Sequence, residues 1–163
     1  MDRIDKTNYY LDIAQTVAER GTCLRRLFGA VIVKNDIIVS TGYVGAPRGR
    51  QNCCDRGICF RQEMNIPRGQ RYELCRSVHA EANAIIAAPR EAMLGATLYM
   101  SCIDAQTKEL SSGTTSCSMC QRLIINAGID TVIVRDTPTE YRVIDVKSEW
   151  IDIDSSLTLH EGY

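Results

Sequence analysis

The stretch Arg76-Ser-Val-His79-Ala-Glu81-Ala-Asn-Ala-Ile-Ile-Ala-Ala-Pro89 decides how the rest of the chain is read. Ala82, Ala84, Ala87 and Ala88, with Ile85 and Ile86, give a small apolar surface suited to a helix packed inside a core. Pro89 stops that helix, because proline cannot donate to the preceding turn. His79 and Glu81 stand at its start, where unpaired N–H groups and the positive end of the helix dipole gather. A buried His-x-Glu at such a place needs a partner. Cys117-Ser-Met-Cys120 supplies one: its cysteines are spaced i, i+3 at a second helix start, so both sulfurs project from one face. The same dipole favours their thiolate forms. An imidazole and two thiolates form the donor set of a catalytic zinc site with an open fourth position, and an unligated carboxylate stands beside it.

Each half of this pattern has a plainer reading. A Cys-x-x-Cys alone also suits a redox pair, and a lone histidine on an apolar helix is usually a core residue. The conjunction is more specific, with His-x-Glu opening one helix and Cys-x-x-Cys opening the next across an intervening strand. The only other histidine is His160, which leaves little material for a Ser-His-Asp arrangement.

Composition sets the outer limits. A chain of 163 residues reads as a single domain, 1–163, with one sizeable core. A formal net charge of −1 provides no basic field for gathering DNA or RNA. The charged start, Met1-Asp-Arg-Ile-Asp-Lys6, precedes no apolar run, so neither a signal peptide nor a membrane span is expected. The expected compartment is the cytoplasm, where eight cysteines stay reduced and suggest metal binding before disulfides.

In chain order, Asp5 caps a helix running to about Arg20, with Leu11, Ala14, Val17 and Ala18 on one face and Gly21 closing it. Gly29–Lys34 and Ile37–Tyr43 are β-rich runs around Asn35-Asp36, a hairpin signal. A long segment rich in Gly, Pro, Arg and Cys spans Val44 to Arg76, with a short helix near Ile58–Met64; such segments are usually functional or clamped. Ala96–Ser101 reads as a strand and Asp104–Ser116 as a polar loop. A helix then runs from Cys117 to Gly128, followed by strands at Thr131–Val134 and Tyr141–Val146. The order α-β-β-α-β-α-β describes an α/β sandwich around one sheet.

His-x-Glu followed by Pro-Cys-x-x-Cys is the signature of zinc nucleobase deaminases, matched here at all but the proline. Over most of its length the chain resembles the deoxycytidylate (dCMP) deaminase family. The resemblance is carried by Gly29-Ala-Val-Ile-Val33, Ser40-Thr-Gly-Tyr-Val-Gly-Ala-Pro-Arg-Gly49, Asn52-Cys-Cys-Asp55, His79-Ala-Glu-Ala-Asn-Ala-Ile85, Gly95-Ala-Thr-Leu-Tyr99 and Cys117-x-x-Cys120 leading to Ile125-Asn-Ala-Gly-Ile129. It implies a three-layer α-β-α sandwich around a mixed five-stranded sheet, the cytidine-deaminase fold. It implies hydrolysis of dCMP to dUMP and ammonia by zinc-bound hydroxide, with His79, Cys117 and Cys120 as ligands and Glu81 as proton shuttle. It also implies a homo-oligomer, hexamer or dimer, and dCTP and dTTP as effectors.

Other positions follow from the same likeness. The backbone at Ala80 would hold the polar edge of the ring. Arg25 matches an arginine of many relatives, and Arg26 beside it and Arg48 on the glycine-rich loop are further candidates for a 5′-phosphate. Cys23 and Cys53 stand where some phage relatives hold a second, structural zinc. Cys59 and Cys75 would complete a four-thiolate set, with Cys54 as substitute and free buried thiols as the alternative. Cys102 reads as packing or loop. Three departures bear on the substrate. Val44 replaces an asparagine that contacts the sugar, Ser116 replaces a proline before the first ligand cysteine, and the loop from Cys102 to Ser116 is longer than usual. They keep open the same chemistry on a modified pyrimidine, a pterin or riboflavin intermediate or a purine. A non-catalytic assembly protein with structural zinc is the remaining alternative.

Overall fold

The computed structural model describes residues 1–154, so His160 lies outside the described residues. Its sheet starts from the hairpin of β1 (Arg26–Lys34) and β2 (Ile37–Tyr43). Asn35 and Asp36, at φ 50° and 62°, both take the left-handed conformation that a two-residue type I′ turn requires. Asp36 then accepts hydrogen bonds from Tyr10 and Lys6, fastening the turn to the first helix. With β3 (Thr97–Asp104), β4 (Thr131–Arg135) and β5 (Tyr141–Asp145) the hairpin forms one sheet of order β2-β1-β3-β4-β5. β3 and β4 run parallel and every other neighbouring pair is antiparallel, so the sheet is mixed, as expected.

Successive β1 side chains face opposite layers. Val31 and Val33, joined by Tyr99 and Ile133, pack on Tyr10, Leu11 and Ala14 of α1 (Lys6–Ala18). Ala30 and Ile32, joined by Leu98, Met100, Val132 and Val134, pack on Ala80 and Ala84 of α4 (Ala80–Ile86) and on Ile124 and Ala127 of α6 (Ser118–Ala127). Three layers result. The central strands are covered on both faces, which is why they read as near-continuous apolar runs instead of alternating ones. The long segment before α4 contains α2 (Cys53–Arg56), α3 (Phe60–Glu63) and a 3₁₀ turn, Tyr72–Leu74. α5 (Arg90–Met93) follows α4, and a π-helical turn, Lys147–Ile151, follows β5. Among the described residues no helix is long and apolar enough to cross a membrane.

Several boundaries differ from expectation. α1 ends at Ala18, and Gly21 lies beyond its cap residue, Glu19. α4 ends at Ile86, and Pro89 serves instead as the N-cap of α5. β3 continues past Ser101 because Leu27 and Arg26 still offer it a partner strand, pairing with Ile103 and Asp104. Cys102 is therefore a fully buried strand residue, and the loop begins after Asp104.

One buried charge ties layers together. Arg135, 2% exposed on β4, donates to Asp12 at 2.6 Å, to Gln15 and to Asn8 of α1. Asp12 itself is 54% exposed at its side chain and stays solvated if the arginine is removed. Arg135→Ala is accordingly expected to cost about 3 kcal/mol, the lower end for breaking a buried ion pair. Arg135→Met, which keeps the packed stem, should cost much less. Urea unfolding of both variants checks this; equal losses would mean that the charge matters more than the packing.

Candidate active site

The site is built where α4 and α6 begin. Gly42 of β2 allows α4 to approach closely: a Cβ there would sit 2.3 Å from the carbonyl oxygen of Ala80 and 2.4 Å from the amide nitrogen of Ala84. Ser40 donates to the carbonyl of Ala84 at 2.7 Å, and Asn83 donates to that of Tyr43 at 2.8 Å. Gly45 and Val78 exchange backbone hydrogen bonds of 3.1 and 2.7 Å. Together these contacts pin the chain just before His79 to the end of β2. His79 is the N-cap of α4, and Cys117 is the N-cap of α6. Gly128, at φ 81°, caps the far end of α6 as expected.

The expected ligands converge. Nδ1 of His79 lies 3.4 Å from Sγ of Cys117 and 3.5 Å from Sγ of Cys120. The three ligand atoms lie within 4.8 Å of one another, the one such group among the described residues. A tetrahedral zinc with bonds of about 2.3 Å to sulfur and 2.0 Å to nitrogen separates its ligands by about 3.5 Å, so this donor set fits zinc. Electrostatics agree. Hydrogen bonding from Cys120 holds the Cys117 thiol down at about 4, with His79 adding to the effect, while Cys120 is pushed up by its bond to Cys117 and by burial. Burial would lower the His79 pKa, but hydrogen bonds to Cys117 and Cys75 overcome it and raise the value to about 10. The direction for Cys117 favours the thiolate that a metal ligand has to be.

Glu81, 3% exposed, stays outside the ligand cluster but opens into the same cavity. Burial pushes its carboxyl up, opposed by the charge of His79 and by hydrogen bonds, one of them from Ser116. Ser116, 1% exposed, thus contributes a hydroxyl where a proline would have none.

The cavity has a volume of about 570 Å³, the size of a small-molecule site. Arg25, Arg26, Val44 and Ala80 line it. Val44 is buried beside Phe28 and presents an apolar wall. Arg48 does not line it; that residue is exposed on a turn. Sequence reasoning missed Arg61, Arg68 and Tyr72 of the long segment and Arg122 of α6, which also line the cavity, because nothing local marks which of these side chains meet there. The loop before Cys117 contributes Gly113, Thr114, Thr115 and Ser116 to the wall, held there by Arg142, which bonds both Asp136 and the carbonyl of Thr114. The hydroxyl of Thr114 is buried without a partner.

The other cysteines are near one another without forming a tight ligand group. Cys53 is raised by burial and further by Cys23, Cys75 and Cys59. Cys23, Cys59 and Cys75 line the cavity, whereas Cys54 is exposed.

Residues 4–136 match the family described as the cytidine and deoxycytidylate deaminase zinc-binding region. The deoxycytidylate deaminase of Mycobacterium phage D29 is 38% identical over 139 residues, covering 82% of this chain and 96% of the phage protein. The deoxycytidylate deaminase of Schizosaccharomyces pombe is 32% identical over 77% of this chain, which spans 35% of that longer protein. Among solved structures, the dCMP deaminase of cyanophage S-TIM5 superposes with a TM-score of 0.57 at 23% identity, covering 83% of this chain and 86% of its own. Cytidine deaminase of Burkholderia pseudomallei gives a TM-score of 0.57 at 16% identity, covering 88% and 94%. These structures share the fold.

Proposed function

The chain belongs to the cytidine and deoxycytidylate deaminase family, and on that premise we propose that it hydrolyses dCMP to dUMP and ammonia. The observation that carries the reading is a buried, unligated Glu81 beside a His-Cys-Cys zinc set in one nucleotide-sized cavity. His79, Cys117 and Cys120 would hold the zinc. Bound there, zinc supplies a Lewis acid that makes a water nucleophilic near neutral pH. Glu81 would take one proton of the attacking water and place it on the ring nitrogen, then take the second from the hydroxyl left on the ring carbon and give it to the amine, which departs as ammonia as the C–N bond breaks. The backbone of Ala80 orients the ring. Thr114 supplies a buried hydroxyl for the sugar, where Val44 offers none, and the arginines of the wall supply charge for the phosphate.

The assay that tests this follows ammonia release from dCMP, CMP, deoxycytidine and dCTP on zinc-loaded protein, with zinc per chain measured on the same sample. dCMP is expected to be the fastest of the four. Absence of turnover on every cytosine compound, with zinc in place, would overturn the reading.

The same proposal includes a second zinc on Cys23, Cys53, Cys59 and Cys75, supported by the effect of the other three thiols on Cys53 and by the few apolar residues available to hold that segment. Wild type should then carry two ions per chain and Cys53→Ser one, with deamination retained; one ion in wild type would remove this part. A homo-oligomer, hexamer or dimer, is included as well, with exposed Ile86, Leu94 and Leu123 on the helical side as contact surface. Regulation by dCTP and dTTP and residence in the cytoplasm complete the proposal.

A further inference from the structure

Between Cys53 and Ser77 the chain buries a single residue, and that residue is a cation, Arg61, 4% exposed. A segment that leaves Ile58, Phe60 and Met64 exposed is held through this guanidinium. Its Nη2 donates to the carbonyls of Pro67 at 2.9 Å and Gln70 at 2.5 Å, and its carbon lies 4.3 Å over the ring of Tyr72. Tyr72 in turn meets His79 edge-on, with centroids 5.3 Å apart and planes at 79°. One end of this arrangement therefore bears on a metal ligand.

Two requirements of Arg61 stay unmet. Its Nε–H is buried without an acceptor. No carboxylate forms an ion pair with it among the described residues: Glu73, beside Tyr72, feels its charge but bonds Arg71. A buried cation without a counter-ion and a buried donor without an acceptor are both costly, so such a group marks a place where an anion completes the structure. Arg61 lines the cavity that also holds Glu81. Arg68 of the same wall is exposed, and Arg25 and Arg26 are partly so, so their charges are already solvated.

We propose that Arg61 is the residue that binds the substrate's 5′-phosphate, its guanidinium donating to a phosphate oxygen, and that the 57–75 segment is ordered by that contact. A planar guanidinium held against Tyr72 is pre-set for such a bond, and the low dielectric around it strengthens the interaction. Arg25, Arg26 and Arg68 draw the anion in, and Arg61 selects it. The inference rests on the nucleotide reading above for the identity of the ligand, and not on turnover. The competing counter-charge is the thiolate of Cys75, which also feels Arg61.

The test compares wild type, Arg61→Lys and Arg61→Gln as zinc-loaded full chains. Calorimetry reads the affinity for dUMP against deoxyuridine, and kinetics reads kcat/KM for dCMP against deoxycytidine. Wild type should favour the phosphorylated compound by about 100-fold or more, a preference that falls to within about tenfold in Arg61→Gln, with Lys between them. Deoxyuridine affinity and zinc content should stay as in wild type. An unchanged preference in Arg61→Gln would overturn the inference, as would a loss of zinc with both ligands weakened equally, which would assign Arg61 to the cysteines. If neither variant folds, tryptic cleavage of wild type at Arg68 and Arg71 decides. dUMP should slow it several-fold and deoxyuridine should not; equal protection by both, or by neither, would overturn the inference. Failure of the deaminase reading is seen separately, as lack of turnover while the dUMP preference persists.

Discussion

Glu81→Gln is expected to lower dCMP deamination by about 10²–10⁴-fold, the usual contribution of positioned acid–base transfer. The substitution keeps the volume of a side chain that is 3% exposed, so no cavity opens. It also leaves the three metal ligands untouched, since the carboxylate stands outside their cluster. What it removes is a group that alternately holds and releases a proton beside the reacting ring. Zinc per chain and the unfolding midpoint should therefore match wild type, while kcat falls and KM changes little. Retained turnover would assign the proton transfers to another group. Lost zinc would make Glu81 part of the metal site. An assembly protein with structural zinc predicts neither, having no turnover to lose.

Gly42→Ala is expected to damage the site from a distance. The added methyl would lie 2.3 and 2.4 Å from backbone atoms of α4, which no side-chain rotation can relieve. The helix has to shift, and His79 and Glu81 shift with it. Overpacking of this kind costs about 1–3 kcal/mol of stability. A displacement of about 1 Å at the reacting groups costs roughly 10²-fold in rate. Zinc affinity should fall too, because one ligand moves relative to Cys117 and Cys120. Gly29→Ala is the matched comparison, since its Cβ would lie 2.1 Å from the carbonyl of Ala14 in α1, on the opposite face of the sheet. It should destabilise comparably while the folded fraction keeps its zinc affinity. Equal loss of zinc affinity in both variants would show that the effect reports global loosening and not the placement of α4.

His79, Glu81, Cys117 and Cys120 were legible from sequence because each motif is local. A helix start is marked within a few residues, and its unpaired N–H groups and dipole already dictate which chemistry suits the spot. The hairpin at Asn35-Asp36, the five strands and the cap at Gly128 were legible for the same reason: turn chemistry and apolar runs are written in neighbouring residues. The extent of β3 was not, because a strand lasts as long as its neighbour offers hydrogen bonds, and Arg26 and Leu27 are remote in sequence. Nor was the close approach of α4 to Gly42, which depends on two backbones meeting across the fold.

The arginines show the division most clearly. The sequence by itself determined a zinc chemistry, a helix to present it and an arginine-rich segment beside it. Only the tertiary structure decided that Arg48 faces solvent while Arg61, Arg68 and Arg122 line the cavity. Guanidiniums look alike along a chain, and what separates a solvated charge from a buried one awaiting an anion is the set of carbonyls, rings and strands that long-range packing brings around it.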